Sequence, residues 1–368
     1  MRRSPLTHFR IHLAPLGLLA ALALFPVLHV HAASSAAETS GQGCGPEVRL
    51  DSRGGTMEHV PVVDQGDFGI CYAAAASEMT DAYRLSHGKM HSQSSMFEGA
   101  VGSGIKQGES VKSALDDGGD ACDVADYYQK AGSCKEKVFS GGSGSIREDV
   151  AFLAKSYDLQ DGADDSDSCG SDSKAKKPKT LTEKIQDMLA HQSCTEQEAL
   201  SAQAAKTDAE MKKVLISISN RVGRDMAREL EQACLTQGRQ KVSFSSCVQS
   251  RGHFPKTPQA TQELIETYLS SNRAQPFGIS YCSNVLTAGA KYIGIKPDGD
   301  EKCDCDAHAS VIIGKRTNRK TQKCQFLIQN SWGTDCDSYS NDWQCKEGKI
   351  WIDADALSRN SDDYSYLR

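Results

Sequence analysis

The sequence predicts an α+β protein carrying an inserted helical block, on three observations. Helical spacing dominates the first part of the chain, short strand-like runs dominate after Pro255, and a charged helical stretch from Leu181 to about Thr236 stands between them. Helices followed by strands, rather than an alternation of the two, is the pattern of an α+β arrangement. At 368 residues the chain allows one large domain or two ordinary ones, and a sizeable core.

The N-terminus explains an unusual cysteine count. Arg2, Arg3 and Arg10 accompany an apolar stretch from Leu13 to Leu28 that Pro15 and Pro26 interrupt, and the small-residue pattern Val30-His31-Ala32-Ala33 follows. This reads as a secretory signal peptide over residues 1–33. The interrupted apolar core argues against a spanning helix. Export to a secreted or periplasmic location, with no membrane attachment after cleavage, fits fourteen cysteines. A formal net charge of −6 gives no basic footprint for nucleic acid.

Residues 34 to about 46 are small and polar, a lead-in without core-forming residues. Over 71–87, Cys71, Ala74, Ala75, Glu78, Met79 and Ala82 recur at helical spacing, and Gly88 is the expected stop. A glycine-rich stretch runs from Gly99 to Gly108, and a second helix is expected from Val124 to Lys130, closing near Gly132. Residues 140–145 are Ser-Gly-Gly-Ser-Gly-Ser, and 161–179 form an Asp-, Ser- and Lys-rich stretch that reads as a loop. In the charged block Ile185, Met188 and Leu189 mark one apolar face, Met211, Val214, Leu215 and Ile218 another, and Met226, Leu230 and Ala233 a third. Phe277–Tyr281, Ala309–Ile313, Phe326–Gln329 and Lys349–Ile352 are the expected strands. The expected division is a signal peptide at 1–33, a nucleophile-bearing part at 34–140, a helical insertion with a charged loop at 141–255, and a β-rich part at 256–368.

Three segments carry chemistry. Gln65-Gly66-Asp67-Phe68-Gly69-Ile70-Cys71 puts one thiol where a glycine-bearing turn meets a helix. Amides at a helix start lack intrahelical partners and the dipole is positive there, which favours thiolate. The turn can bring the Gln65 side-chain amide back beside the thiol as an oxyanion donor. A cysteine nucleophile needs a base, and His308 begins a strand of small and β-branched residues, Ala309-Ser310-Val311-Ile312-Ile313, that leaves room at the imidazole. Asn330, at the end of Phe326-Leu327-Ile328-Gln329, is the candidate to orient that imidazole, and Trp332 the candidate to cover the bond. Each segment taken alone is compatible with a structural role: a packed cysteine, a strand-start histidine, a turn asparagine.

Together they resemble the papain-like cysteine peptidases. Gln65 and Cys71 match that family in identity and spacing, the His308 strand matches its histidine segment, and Asn330-Ser331-Trp332-Gly333 matches its asparagine motif. Gly118-Gly119, Gln275-Pro276-Phe277-Gly278-Ile279-Ser280 and Lys349-Ile350-Trp351-Ile352 resemble further blocks in the family's order, over roughly 47–135 and 256–355. The resemblance implies a helical part and an antiparallel, barrel-like part with the site between them. It implies that Cys71 attacks the scissile carbonyl, that His308 forms an ion pair with it and protonates the leaving amine, that Asn330 holds the imidazole, and that Gln65 with the Cys71 amide stabilises the oxyanion. It places Gly118, Gly119, Asp120, Ser280 and Trp332 along the substrate cleft, with Ala121 and Ala307 at the specificity pocket, and Asp120 favours Lys or Arg there. A peptide or protein substrate is expected, with no cofactor and no metal.

The departures are specific. By that resemblance Phe68 stands where a disulfide cysteine is usual, Ile70 where a small residue is usual, with the expectation that it crowds the cleft, Tyr72 for tryptophan, and Ala307 for an aspartate. His308 lies 237 residues after Cys71, against roughly 130–150 in the family, and the block 141–255 supplies the excess. That block is a cleft lid in place of a pro-segment, or a surface decoration. Among cysteines, Cys336–Cys345, Cys122–Cys134 and Cys234–Cys247 are the expected local pairs, and Cys303-Asp304-Cys305 fits no usual zinc spacing. A Cys-His amidase or acyltransferase on cell-wall peptide or protein side chains, and a non-catalytic binding module on the same fold, are the competing functions.

Overall fold

The computed structural model describes residues 43–89, 92–137, 144–161, 180–189, 194–250, 257–271, 274–294 and 305–368. Residues 1–42, nearly all of the charged stretch 161–179, and Cys303 lie outside the described residues. Residues 41–368 form one unit of contacts. Among the described residues no helix is long and apolar enough to cross a membrane.

The fold is α+β. Helix α1 (Cys71–Ser86) is followed by α2 (Met96–Gln107), α3 (Val111–Asp116) and α4 (Ala121–Ala131). Then come α5 (Gly144–Asp161), α6 (Leu181–Leu189), α7 (Glu196–Ala204) and α8 (Asp208–Gln237). After α9 (Pro258–Leu269) the chain is mainly strand, with two short helices, α10 (Asn284–Ala288) and α11 (Ala354–Ser358). The strands are β1 (Val48–Arg49), β2 (Cys247–Gln249), β3 (Phe277–Cys282), β4 (Ala307–Thr317), β5 (Cys324–Gln329), β6 (Gln344–Lys346), β7 (Lys349–Asp353) and β8 (Ser361–Leu367). They form one sheet in the order β2-β8-β3-β4-β5-β7-β6, with β1 added to β4, and every described pairing is antiparallel.

Helix α1 lies on this sheet, chiefly against β4, and packs α2 and α4 on its other sides. Its alanine run permits that: Ala73, Ala74, Ala75, Ala76 and Ala82 are all buried, so the axis approaches neighbours closely on every face. The stretch read as merely glycine-rich is helix α2. Ser95 caps it, and its glycines sit under tyrosine rings: a Cβ at Gly99 would meet Tyr128 and one at Gly102 would meet Tyr127. Packing overrides low propensity here.

The charged block does not form a body of its own. Leu153, Ile185, Met211, Leu215, Ile218, Val222 and Met226 belong to the same apolar cluster as Phe97, Val101 and Leu115 of the first helices. Helix α8 lies against α2 and α3 as well as α5, α6 and α7. Beyond α8 the chain returns to the central unit: Gln240 bridges Ser133, and β2 extends the sheet beside β8. Arg84 of α1 is buried in that junction, donating to Ser94 Oγ (2.6 Å), Ser133 Oγ (2.8 Å) and the Gln240 carbonyl (2.8 Å), with Asp81 as its ion partner.

Five disulfides staple the described residues: Cys44–Cys324, Cys122–Cys247, Cys134–Cys234, Cys282–Cys305 and Cys336–Cys345. The Cys336–Cys345 clip is as expected. The pairs Cys122–Cys134 and Cys234–Cys247 are corrected to a nested arrangement, Cys134–Cys234 inside Cys122–Cys247. Cys122 and Cys134 lie at opposite ends of α4, and each reaches instead to the segment that returns along it. Both long bridges therefore tie the helical block to the segment of α4 and close large loops of the unfolded chain. Cys71 and Cys194 are the free thiols among the described residues.

Candidate active site

The turn before α1 is shaped by two glycines. Gly66 has a left-handed φ of 61°, and a Cβ on Gly69 would fall 2.3 Å from the Asp116 carbonyl, so the turn lies directly on the end of α3. Ile70 is the N-cap and offers no capping side chain, leaving Cys71 at the first helical position. The Cys71 and Tyr72 amides face the Cys71 sulfur, and the Ala309 amide of β4 reaches it from the sheet. The thiol is thereby seated on the strand residue next to His308. Ile70 does not crowd the cleft as expected: its side chain is fully buried in the core. Phe68 is buried edge-on to Phe97, with ring centroids 5.3 Å apart.

Strands β4 and β5 pair directly, with Val311 opposite Gln329, which brings His308 and Asn330 together across 22 residues of sequence. Asn330 Oδ1 lies 2.7 Å from His308 Nε2 and also accepts from Ser310 Oγ at 2.9 Å. Asn330 Nδ2 donates to the Tyr339 hydroxyl at 2.9 Å. With its oxygen accepting twice, Asn330 fixes the proton of a neutral His308 on Nε2 and leaves the Nδ1 lone pair free. Ser310 shares a hydrogen bond of 2.9 Å with Tyr281, whose ring stands edge-on to His308. Trp332 lies 5.0 Å from the imidazole, ring centre to ring centre, and stacks nearly parallel on Tyr339.

Burial sets the protonation of both reactive groups. Desolvation raises the Cys71 thiol, opposed by the three backbone amides around it. Desolvation lowers His308 to about 4, opposed by its bond to Asn330. The resting pair is therefore neutral thiol and neutral imidazole.

Gln65 is buried in the same turn. Its Nε2 donates to the Phe68 carbonyl at 2.6 Å, and its Oε1 accepts from Ser331 Oγ at 2.5 Å. One N–H of the carboxamide remains beyond the bond to Phe68. The bridge between Asp64 and Trp332 joins this turn to the asparagine motif. Ser331, Ser310, Tyr281 and Tyr339 were not singled out from the sequence. Ser331 was legible, being inside the motif. Tyr339 was not: it lies outside the motif, in the loop between the bonded Cys336 and Cys345.

Of the expected cleft residues, Gly119 and Asp120 border a cavity of about 250 Å³ with Tyr72, Glu109 and Asp123. Gly118 takes the left-handed turn before them, with φ 79°. The Asp120 carboxylate caps α4, accepting from the Cys122 amide at 2.8 Å. Ser280 is held mid-strand between Ala309 and Asp363. Cys305 of the Cys-Asp-Cys run is bonded to Cys282. Among the described residues one group has metal-like spacing, Cys44, Cys324 and Glu266, and its two sulfurs are bonded to each other.

A helical layer and an antiparallel sheet meet along α1 in an α+β fold, with a thiol on the helix and an imidazole–carboxamide pair on adjacent strands. Solved structures similar to it include digestive procathepsin L 3 of Tenebrio molitor larval midgut, at 10% identity and TM-score 0.42 over 89% of this chain and 71% of that one. Another is the bromelain protease of Ananas comosus in complex with the E64 inhibitor, at 13% identity and TM-score 0.39 over 84% and 93%. No protein-family model and no curated protein matches the sequence.

Proposed function

We propose that the protein is an exported papain-like cysteine peptidase that hydrolyses peptide bonds through an acyl-enzyme on Cys71. The observation that carries this reading is the 2.7 Å His308–Asn330 bond on strands that seat the Cys71 thiol at Ala309. Asn330 leaves Nδ1 of His308 as the basic nitrogen, and that nitrogen takes the thiol proton as sulfur attacks the carbonyl. The ion pair forms on this path from a neutral resting pair, because both groups are desolvated. The Cys71 amide and the remaining Gln65 N–H face the developing oxyanion. The imidazolium then gives its proton to the leaving amine, and water resolves the thioester with His308 again as base. Gly118, Gly119, Asp120, Ser280 and Trp332 border the bound peptide in this reading.

Digestion of casein or a peptide library, compared with a Cys71→Ala variant, tests the proposal. Cleavage lost in the variant, with an epoxide-inhibitor adduct on Cys71 of the parent, is the expected result. Adduct formation without peptide-bond cleavage would favour an amidase or acyltransferase. No adduct on the folded, reduced protein would leave a binding module.

A further inference from the structure

The first helices and the charged block enclose a second cavity, of about 510 Å³, which none of the roles above uses. Its volume lies in the range of ligand sites. Ile105, Val111, Tyr157 and Ala227 give it an apolar surface. Ile105 is 49% exposed, although it is a large apolar residue. Helix α8 comes close to α3 at this point because Gly223 has no side chain: a Cβ there would meet Val111 at 3.2 Å.

Among the charged residues of the lining, cations outnumber anions. Lys112, Arg224 and Arg228 border the cavity with Glu109 as its one acidic residue. Lys112 lies over the Tyr157 ring and 3.5 Å from Asp116, and Arg228 pairs with Asp225. Arg224 is exposed and makes no ion pair among the described residues. Glu109 also borders the cavity at Gly119 and Tyr72, so the two spaces adjoin through one side chain.

We infer that this groove is an exosite for the substrate: it holds a segment of the polypeptide chain, remote from the scissile bond, that carries an apolar residue flanked by carboxylates. The apolar side chain fills the surface of Ile105, Val111 and Tyr157, and the carboxylates face Arg224, Arg228 and Lys112. Charge complementarity and continuity with the space at Gly119 favour this occupant. That the bound chain is a substrate rests on the peptidase reading; the binding itself does not.

The test uses the full chain and a fluorescein-labelled peptide of alternating leucine and glutamate. Binding to the Cys71→Ala protein, read by anisotropy, should weaken about tenfold or more in the Arg224→Glu/Arg228→Glu double variant, and similarly at high salt. Ile105→Ser should weaken it independently of salt. In the active protein the unlabelled peptide should inhibit cleavage of a long acidic protein and leave dipeptide-amide hydrolysis unchanged, as should the double variant itself. Absence of binding, or equal binding to the charge-reversed protein with its melting temperature unaltered, overturns the exosite. Charge-sensitive binding in a protein that hydrolyses no peptide overturns the peptidase reading and keeps the groove as a peptide-binding site.

Discussion

Asn330 Oδ1 accepts from His308 Nε2 at 2.7 Å and from Ser310 at 2.9 Å, while its Nδ2 donates to Tyr339. All three partners act on one buried carboxamide, so its flip state is dictated and the imidazole tautomer follows. Asn330→Ala should lower kcat on a dipeptide amide by about a hundredfold with little change in KM. Tyr339→Phe leaves a buried N–H without its acceptor and should cost about tenfold, corresponding to roughly 1–2 kcal/mol. Steady-state kinetics on the two variants, with circular dichroism to confirm folding, check both.

Gln65 is held at both ends of its carboxamide, by Phe68 and by Ser331. Gln65→Ala should reduce kcat by about 10²–10³ with KM nearly constant, as for removal of one oxyanion donor. Ser331→Ala releases the orientation and not the donor, so its loss should be smaller. Equal losses in the two would mean that Gln65 serves only to brace the turn.

His308 titrates at about 4 when folded, against 6.5 as its ordinary value, because burial disfavours the charged ring. Between these values the unfolded chain binds a proton that the folded chain does not. Stability from this group is thus complete above about pH 6.5 and is lost as pH falls toward 4, by roughly 3 kcal/mol. Urea unfolding between pH 4 and 7 measures this slope, and His308→Gln should remove it. The acid limb of kcat/KM should fall near 4 rather than near 6.5, since protonated His308 cannot accept the thiol proton.

Glu78 follows Cys71 by two helical turns and is buried, accepting a 2.9 Å hydrogen bond from Gln329 Nε2. Gln329 also donates to the Pro61 carbonyl at 3.1 Å and precedes Asn330, so the Glu78 contact joins α1 to β5 beside Asn330. Desolvation, aided by Asp81 and opposed by the Gln329 bond and Lys349, raises the Glu78 carboxyl well above its usual range. The folded chain then holds a proton that the unfolded one releases above about pH 4.5, and stability declines as pH rises from there toward the folded value. Glu78→Gln keeps the shape without that proton. It should flatten the decline and raise the urea midpoint at pH 8 more than at pH 5.

The nested disulfides are directly checkable. Non-reducing peptide mapping should recover Cys122 linked to Cys247 and Cys134 to Cys234. Recovery of Cys122 with Cys134 would overturn the arrangement of the returning segment.

The sequence by itself determined the α+β order, three of the four main strands to within two residues at each end (β4 runs four residues past Ile313), and the identity of Cys71, Gln65, His308 and Asn330 as candidates. These are local facts: apolar period, turn glycines and chemistry-bearing residue types are written within a few positions of one another. Tertiary structure decided what depends on distant segments meeting. Only packing showed that Ile70 turns into the core, that the stretch of Gly99–Gly108 is a helix seated under tyrosine rings, and that the charged block shares the apolar cluster of the first helices. The partners of Cys122 and Cys134 were set the same way, by a segment 125 and 100 residues on that returns along α4. So was the neutral resting state of Cys71 and His308. A helix start alone would favour thiolate, but the burial that assembles the site removes the water either charge would need.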